Sequence, residues 1–107
     1  MTQAAQTFQQ IFETFPEKYD GVIQGNMMRS DALKINGKVF CFFYEDNMCF
    51  KLGKNADPER LELVDAWLLN PFKNKPPMKG WFVVPFSDAE IWMRLAEESM
   101  LVVGSGK

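Results

Sequence analysis

Apolar residues recur every three or four positions at the start of the chain. They form one stripe of a helix over residues 2–15, with glutamines on the opposite side. The stripe consists of Ala4, Phe8, Ile11, Phe12 and Phe15. Because a residue that precedes proline disfavours helical geometry, we expect Pro16 to end this helix at Phe15.

The next segments alternate between apolar and polar residues and predict strands. Residues 21–28 alternate weakly and contain Gly25, so they predict an edge strand with a bulge or a close backbone approach at the glycine. Residues 32–35 and 38–44 flank Asn36-Gly37, the dipeptide that best tolerates a two-residue hairpin turn. The pattern therefore predicts a central β-hairpin.

A second hairpin follows directly. We expect a three-residue loop at positions 45–47, which pairs Tyr44 with Met48, Phe42 with Phe50 and Phe40 with Leu52. These bulky side chains then share one sheet face. The second face then carries Val39, Cys41, Phe43, Cys49 and Lys51. In this register the two cysteines are diagonal neighbours on one face, farther apart than a relaxed disulfide prefers, so we expect both to be reduced.

Two further helices and one strand are predicted in the rest of the chain. Asp57-Pro58-Glu59 has the features of a helix start, and Leu61, Val64 and Leu68 follow at helical spacing until Asn70-Pro71. Residues 81–85 predict a strand. Ser87 and Glu90 match a capping box that opens a last helix, which ends near Gly104. The buried stripe of that helix is expected to be Ile91, Trp92, Leu95, Ala96 and Met100.

These elements predict an α+β fold in a single compact domain that spans residues 1–107. The expected architecture is an antiparallel sheet of four to five strands, flanked by N-terminal, middle and C-terminal helices, without a second domain. A chain of 107 residues with 47% hydrophobic residues can bury such a core without disulfides.

Composition narrows the possible chemistry. The chain has no histidine, which removes the usual general base at neutral pH, and its net charge of −2 gives no global attraction to nucleic acid or to anionic membranes. The start of the chain lacks the pattern of a signal peptide, and no apolar run could cross a bilayer, so we expect a cytoplasmic protein. We expect no catalytic residue, no cofactor and no metal site.

The stretch NKPPMKGWFVVPFS, residues 74–87, combines prolines, lysines and a tryptophan. No acidic residue lies between Ala66 and Ser87. One interpretation is an ordered loop whose Lys73, Lys75 and Lys79 form a cationic site with Lys51 and Trp81. The other is a loop of solvated lysines that leads into an anchoring Trp81, and it is favoured. Met27, Met28 and Met48 could likewise line an adaptable surface, although core packing is the favoured interpretation.

The segment GNMMRSDALKINGKVFCFFYEDNMCFKLG, followed later by PPMKGWFVVP and an amphipathic helix, resembles the TfoX N-terminal domain family, which is grouped with YjbR-like proteins. The resemblance covers about Gly25 to Met100. It implies a compact α+β domain but no catalytic residues, because none are established for the family. Its better-known members, regulators of bacterial competence, carry a second helical domain. This sequence departs from the family pattern at Met28 and Gly80.

Two functions follow as hypotheses. The first is a non-enzymatic binding or regulatory module that contacts a protein partner through the second sheet face and the loop of lysines and prolines around residues 73–81. The alternative is a nucleic-acid-binding domain that uses Lys51, Lys73, Lys75 and Lys79, and a thiol enzyme is a distant third. We expect a monomer or a weak homodimer and no membrane partner.

Overall fold

The computed structural model describes residues 2–27, 30–53, 56–57, 59–61, 63, 65–69 and 80–104. The chain begins with helix α1 (Gln3–Lys18). Four strands follow as two hairpins, β1 (Val22–Met27), β2 (Ser30–Ile35), β3 (Lys38–Tyr44) and β4 (Asn47–Lys51). The last elements are β5 (Trp67–Leu68), β6 (Trp81–Pro85), a 3₁₀ helix (Phe86–Ile91) and helix α2 (Trp92–Gly104).

The strands form one antiparallel sheet in the order β1-β2-β3-β4-β6-β5. Helix α1 packs on β1 and β2, and α2 packs on β2, β3 and β4. Both helices contribute to one apolar core, so they cover the same side of the sheet, which we call the helix face. We call the opposite side the far face. The predicted α+β class is confirmed, with six strands among the described residues.

Helix α1 extends past its predicted end. Pro16 lies inside it, and the helix ends only at Lys18, so the prediction that Pro16 stops the helix is wrong. Proline has no N–H to donate to the carbonyl of Phe12, and Gln24 Nε2 from β1 donates to that oxygen instead, at 3.0 Å. Phe15 is completely buried. Its packing therefore offsets the local cost of helical geometry before proline.

The first central hairpin is confirmed. Asn36 and Gly37 have φ angles of 53° and 79°, as a two-residue turn of this kind requires. Its register shifts between Leu33 and Lys34, since Leu33 faces Cys41 while Lys34 faces Val39. Phe40 is the extra residue of this β-bulge. A bulge turns two successive side chains toward one face, and both Phe40 and Cys41 lie in the core of the helix face.

The second hairpin differs from the prediction by one residue. Glu45 and Asp46 form a two-residue turn with φ angles of 48° and 64°, and Asn47 already pairs with Tyr44. Phe42 therefore faces Cys49 rather than Phe50. The predicted face assignment is wrong as a result. Of the residues expected together, Phe40, Met48, Phe50 and Leu52 lie in the core of the helix face, whereas Phe42 and Tyr44 belong to the far face.

The predicted middle helix is replaced by a turn and a strand. Asp57 accepts the Glu59 N–H through Oδ1 at 3.0 Å and the Leu61 N–H through its carbonyl at 3.1 Å, as a helix start would. Residues 67–68 then pair with β6 instead of continuing a helix, so Leu68 is not on a helical stripe. Pairing with the edge of β6 outweighs the weak helical pattern. Val64, Asn70 and Pro71 lie outside the described residues.

The C-terminal part follows the prediction except at its start. Strand β6 is confirmed, and Trp92, Leu95, Ala96 and Met100 are buried on α2. Ser87 and Glu90 do not form the predicted capping box, because both lie inside the 3₁₀ helix, which has no side-chain cap bond. This helix begins directly after β6, so Ser87 never occupies the capping position. The prediction that Trp92 belongs to the core is confirmed.

Candidate binding face

The far face has a core of its own. Six buried residues form it: Ala32, Phe42, Cys49, Leu69, Trp81 and Val83. Among the residues that the structure describes, neither helix contributes to this cluster. The far face therefore differs from the helix face in having strand and loop residues alone around its described core.

Charge on the described strands of the far face has a single sign. Of the strand positions that alternation places there, only Lys34 and Lys51 are charged. Neither ammonium group forms an ion pair with a carboxylate among the described residues. The ion pairs found in this part of the chain are Lys18–Glu97 and Arg60–Glu98. The far face is thus locally cationic in a protein whose net charge is −2.

The two lysines lie at the same end of the sheet. Lys34 pairs with Val39 in β3, and Lys51 pairs with Trp81 in β6. Strands β2 and β4 are separated only by β3, so the two Cα atoms are about 10 Å apart, two strand spacings. The Lys34 stem extends toward β1, away from Lys51 in β4, so the two ammonium groups suit separate anionic groups along one extended ligand.

Lys34 reaches across Gly25 of the edge strand. A Cβ atom added at Gly25 would lie 2.7 Å from Lys34 Cε, 3.1 Å from Cδ and 3.4 Å from Cγ. The aliphatic stem therefore occupies the space that a side chain at Gly25 would fill, and the ammonium, one bond beyond Cε, lies over β1. The prediction of a bulge or a close backbone approach at Gly25 is wrong, because the pairing is regular there and the approaching group is a side chain. Lys34 was not singled out from the sequence. The available signals were the Asn36-Gly37 turn that follows Lys34 in the chain and a glycine in β1, which lies diagonally across from Lys34.

Trp81 is an anchor of the far-face core. Only 6% of its surface is exposed, and its ring meets that of Phe42 edge to face, with centroids 5.4 Å apart. Gly80, with φ of 85°, makes the turn before it, and its carbonyl accepts the backbone N–H groups of Leu52 and Gly53. The anchoring role favoured from the sequence agrees with this geometry. A direct role of Trp81 in partner binding stays a prediction.

The other predicted members of the cationic site are outside the described residues. Lys73, Lys75 and Lys79 belong to this group, so both their grouping with Lys51 and the order of their loop stay predictions. Of the three candidate methionines, Met48 is fully buried in the core of the helix face, and Met27 is half-buried against the far-face core. Met28 also falls outside the described part.

The two cysteines lie on opposite faces of the sheet, which corrects the prediction that they share one. Cys41 belongs to the core of the helix face and Cys49 to that of the far face, and both are free thiols as expected. Burial raises the pKa of the Cys49 thiol to about 12. Burial, with Cys49 close by, raises the pKa of Cys41 well above its usual range, while a backbone hydrogen bond from Leu33 opposes this. Both groups are therefore protonated at neutral pH.

An exposed apolar pair lies at one edge of the sheet. Trp67 is 49% exposed and Leu68 is 41% exposed, on the two-residue strand β5. Trp67 pairs with Val83 and so belongs to the far face. Sequence reasoning assigned Leu68 to a helix, since a strand of two residues is too short to show a period of its own.

Comparison with family models, with curated proteins and with solved structures finds no match for this chain. Within the described ranges, no group of three or more His, Cys, Asp or Glu side chains is placed to hold a metal ion. Helices long and apolar enough to cross a membrane do not occur among the described residues. The resemblance to the TfoX N-terminal family stays a prediction.

Proposed function

We propose that this domain is a non-enzymatic binding module that recognises an acidic segment of a protein partner through its far face. The observation that carries the proposal is the single sign of charge on the described strands of that face. Lys34 and Lys51 have no carboxylate partner among the described residues, although the chain contains more acidic than basic residues. Electrostatic complementarity of this kind steers encounter and selects the partner.

A protein segment fits this face better than a nucleic acid does. Single-stranded nucleic acids are held by exposed rings that stack on bases and by grooves lined with many cations. The rings of Phe42 and Trp81 at the centre of the far face are buried, and only two lysines lie on its strands. The exposed ring of Trp67 lies on the edge strand β5, four strands away from Lys34. An acidic peptide needs no stacking surface.

The non-enzymatic character of the module is part of the same proposal. The residues that could act as nucleophiles are Cys41 and Cys49, and a raised pKa leaves each as the unreactive thiol. The sequence also offers no histidine as a base. Membership of the TfoX N-terminal family, a regulatory role in bacteria and a cytoplasmic location belong to the proposal, and buried free thiols suit a reducing compartment.

Selection from a displayed library of random peptides tests the proposal without a known partner. The matched variants are Lys34→Gln and Lys51→Gln, with Lys38→Gln as the control. Lys38 belongs to the same hairpin, is exposed and pairs with Ile35 of the helix face. We expect the selected peptides to be enriched in Asp and Glu. Their affinity for either far-face variant should be lower by at least about fivefold, about 1 kcal/mol, and their affinity for the control variant should be unchanged.

Selected peptides without acidic enrichment, or equal losses in all three variants, would contradict the proposal. A single-stranded oligonucleotide measured in parallel distinguishes the alternative. If it binds more tightly than the selected peptides at 150 mM salt, and its affinity falls steeply with added salt, the module is a nucleic-acid binder instead.

A further inference from the structure

Among the residues that the structure describes, strand β1 is an edge without the usual protection against pairing. It is six residues long and regular, and it contains neither a charge nor a proline. Natural edge strands are commonly shortened, bulged or charged to prevent uncontrolled pairing. The opposite edge, β5, satisfies this rule because it has only two residues. The two edges of the sheet are therefore not equivalent.

The outward backbone groups of β1 can be assigned from its pairing. The Asn36-Gly37 turn joins Ile35 to Lys38, and residues that flank a two-residue turn exchange hydrogen bonds, so the backbone groups of Ile35 point toward β3 and away from its β1 partner Val22. Hydrogen bonding to β2 then alternates along the strand, so the backbone groups of Val22, Gln24 and Asn26 point away from the sheet. In agreement, the Val22 N–H donates to the carbonyl of Tyr19 at 3.4 Å rather than to β2.

The charge beside this edge comes from the neighbouring strand. Lys34 lies across Gly25 and places its ammonium over β1 on the far face. Two copies of β1 paired about their middle would bring two such ammonium groups to within about one strand spacing, roughly 5 Å, on the same side. Like charges therefore disfavour a second copy of this chain as the occupant of the edge.

From this arrangement we propose that β1 accepts an extended segment of a partner as a seventh strand, with an acidic side chain of that segment paired to Lys34. This inference rests on the proposed function and specifies how the acidic segment binds. The backbone groups of Gln24 and Asn26 supply affinity by strand addition, and Lys34 selects the sequence. Gly25 is a positioning residue, because its missing side chain leaves room for the Lys34 stem.

A defined peptide tests the binding mode. The probe is an acetylated and amidated octapeptide of alternating threonine and glutamate, whose acids all lie on one face of a strand, and the control replaces glutamate with lysine. Amide hydrogen exchange is followed by NMR. We expect the acidic probe to slow exchange at Gln24 and Asn26 at least about tenfold, and the basic peptide to leave exchange unchanged.

Two pairs of variants separate backbone pairing from charge. Asn26→Pro removes an outward donor and should abolish binding of the acidic probe, whereas Asn26→Ala keeps the donor and should bind normally. Gly25→Ala keeps every charge but displaces the Lys34 stem, so it should weaken binding by a smaller factor than Lys34→Gln, which removes the charge. Thermal melting of each variant confirms that the fold is intact, and the exchange measurement on the unaltered protein remains decisive if Asn26→Pro does not fold.

The outcomes distinguish this inference from the function on which it rests. If the acidic probe binds and Lys51→Gln weakens it while exchange at Gln24 and Asn26 is unchanged, the partner binds the far face and strand addition is wrong. If no acidic peptide binds, both proposals fail. Protection of these amides that rises with protein concentration alone would show that the edge pairs with a second copy.

Discussion

The two faces of the sheet are built from the same strands but are covered by different elements. On the helix face, α1 and α2 supply aromatic and aliphatic side chains, such as Phe8, whose ring lies 5.2 Å from that of Phe43. On the far face, the described core consists of strand and loop residues, with lysines at one end. The helices thus cover one face, whereas the described residues of the other face leave two lysines and the half-exposed Trp67 around its core.

One residue produces much of this division. The β-bulge at Phe40 sends Phe40 and Cys41 to the helix face, while Phe42 points to the far face. Strict alternation would have placed Phe40 and Phe42 together. An extra residue in β3 therefore distributes a nearly continuous apolar strand between two cores, and both cores become large enough to exclude water around their centres.

The largest loss of stability is expected at the centre of the helix face. Trp92→Ala removes a fully buried ring that meets Phe86 edge to face at 5.8 Å, and we expect the free energy of unfolding to fall by about 3–5 kcal/mol. The buried indole N–H has no partner in the described structure, so its loss adds no penalty. Urea unfolding measures the change.

The matched control for this prediction is Trp67→Ala on the far face. Because Trp67 is half exposed, its loss should change the free energy of unfolding by less than about 0.5 kcal/mol. Equal losses for the two tryptophans would contradict the contrast between a ring that the helix-face core encloses and a ring that the far face leaves half exposed.

The two buried cysteines, one on each face, allow the faces to be compared by a smaller loss of stability. Replacing either buried thiol with a hydroxyl should cost about 1–3 kcal/mol, because a hydroxyl needs a hydrogen-bond partner more than a thiol does. Cys41 has a backbone hydrogen bond with Leu33, which a serine can keep, whereas burial alone shifts the pKa of Cys49. We therefore expect Cys49→Ser to destabilise more than Cys41→Ser in parallel urea titrations. The reverse order would show that the environment on the helix face is the less tolerant one.

Local signals in the sequence predicted much of the fold. The Asn36-Gly37 turn, the stripes of the two helices and the strand at residues 81–85 each depend on neighbours along the chain. The bulge at Phe40 was not predictable in this way, since a segment that is apolar on both sides does not reveal a shift of one residue. The strand at Trp67–Leu68 depends on the free edge of β6, which is a tertiary feature.

The candidate site was predictable to a similar degree. Lys51 was correctly placed on the face opposite Phe50, and Gly25 was correctly marked as an unusual position, although a side chain rather than backbone approaches it. Lys34 was missed because its role depends on the diagonal contact with Gly25 across two strands. The position of the Lys34 stem depends on a residue of another strand, so the residues next to Lys34 in the sequence do not reveal it.

The smallest effect on stability is expected at the two-residue turn of Glu45 and Asp46. This turn determines which side chains of β3 and β4 share a face. In the structure, Glu45 occupies the first position of a two-residue turn with φ of 48°, a left-handed conformation that asparagine tolerates better than glutamate. Glu45→Asn should therefore raise the free energy of unfolding by about 0.5 kcal/mol, measured by urea unfolding at several ionic strengths to separate the lost charge. Asp46 is left unchanged, because its Oδ1 accepts a hydrogen bond from the Thr2 hydroxyl at 2.9 Å. Stabilisation that persists at high salt supports the two-residue turn. A loss of stability would favour the three-residue loop, which would return Phe42 to the same face as Phe50 and remove the division on which the far-face site depends.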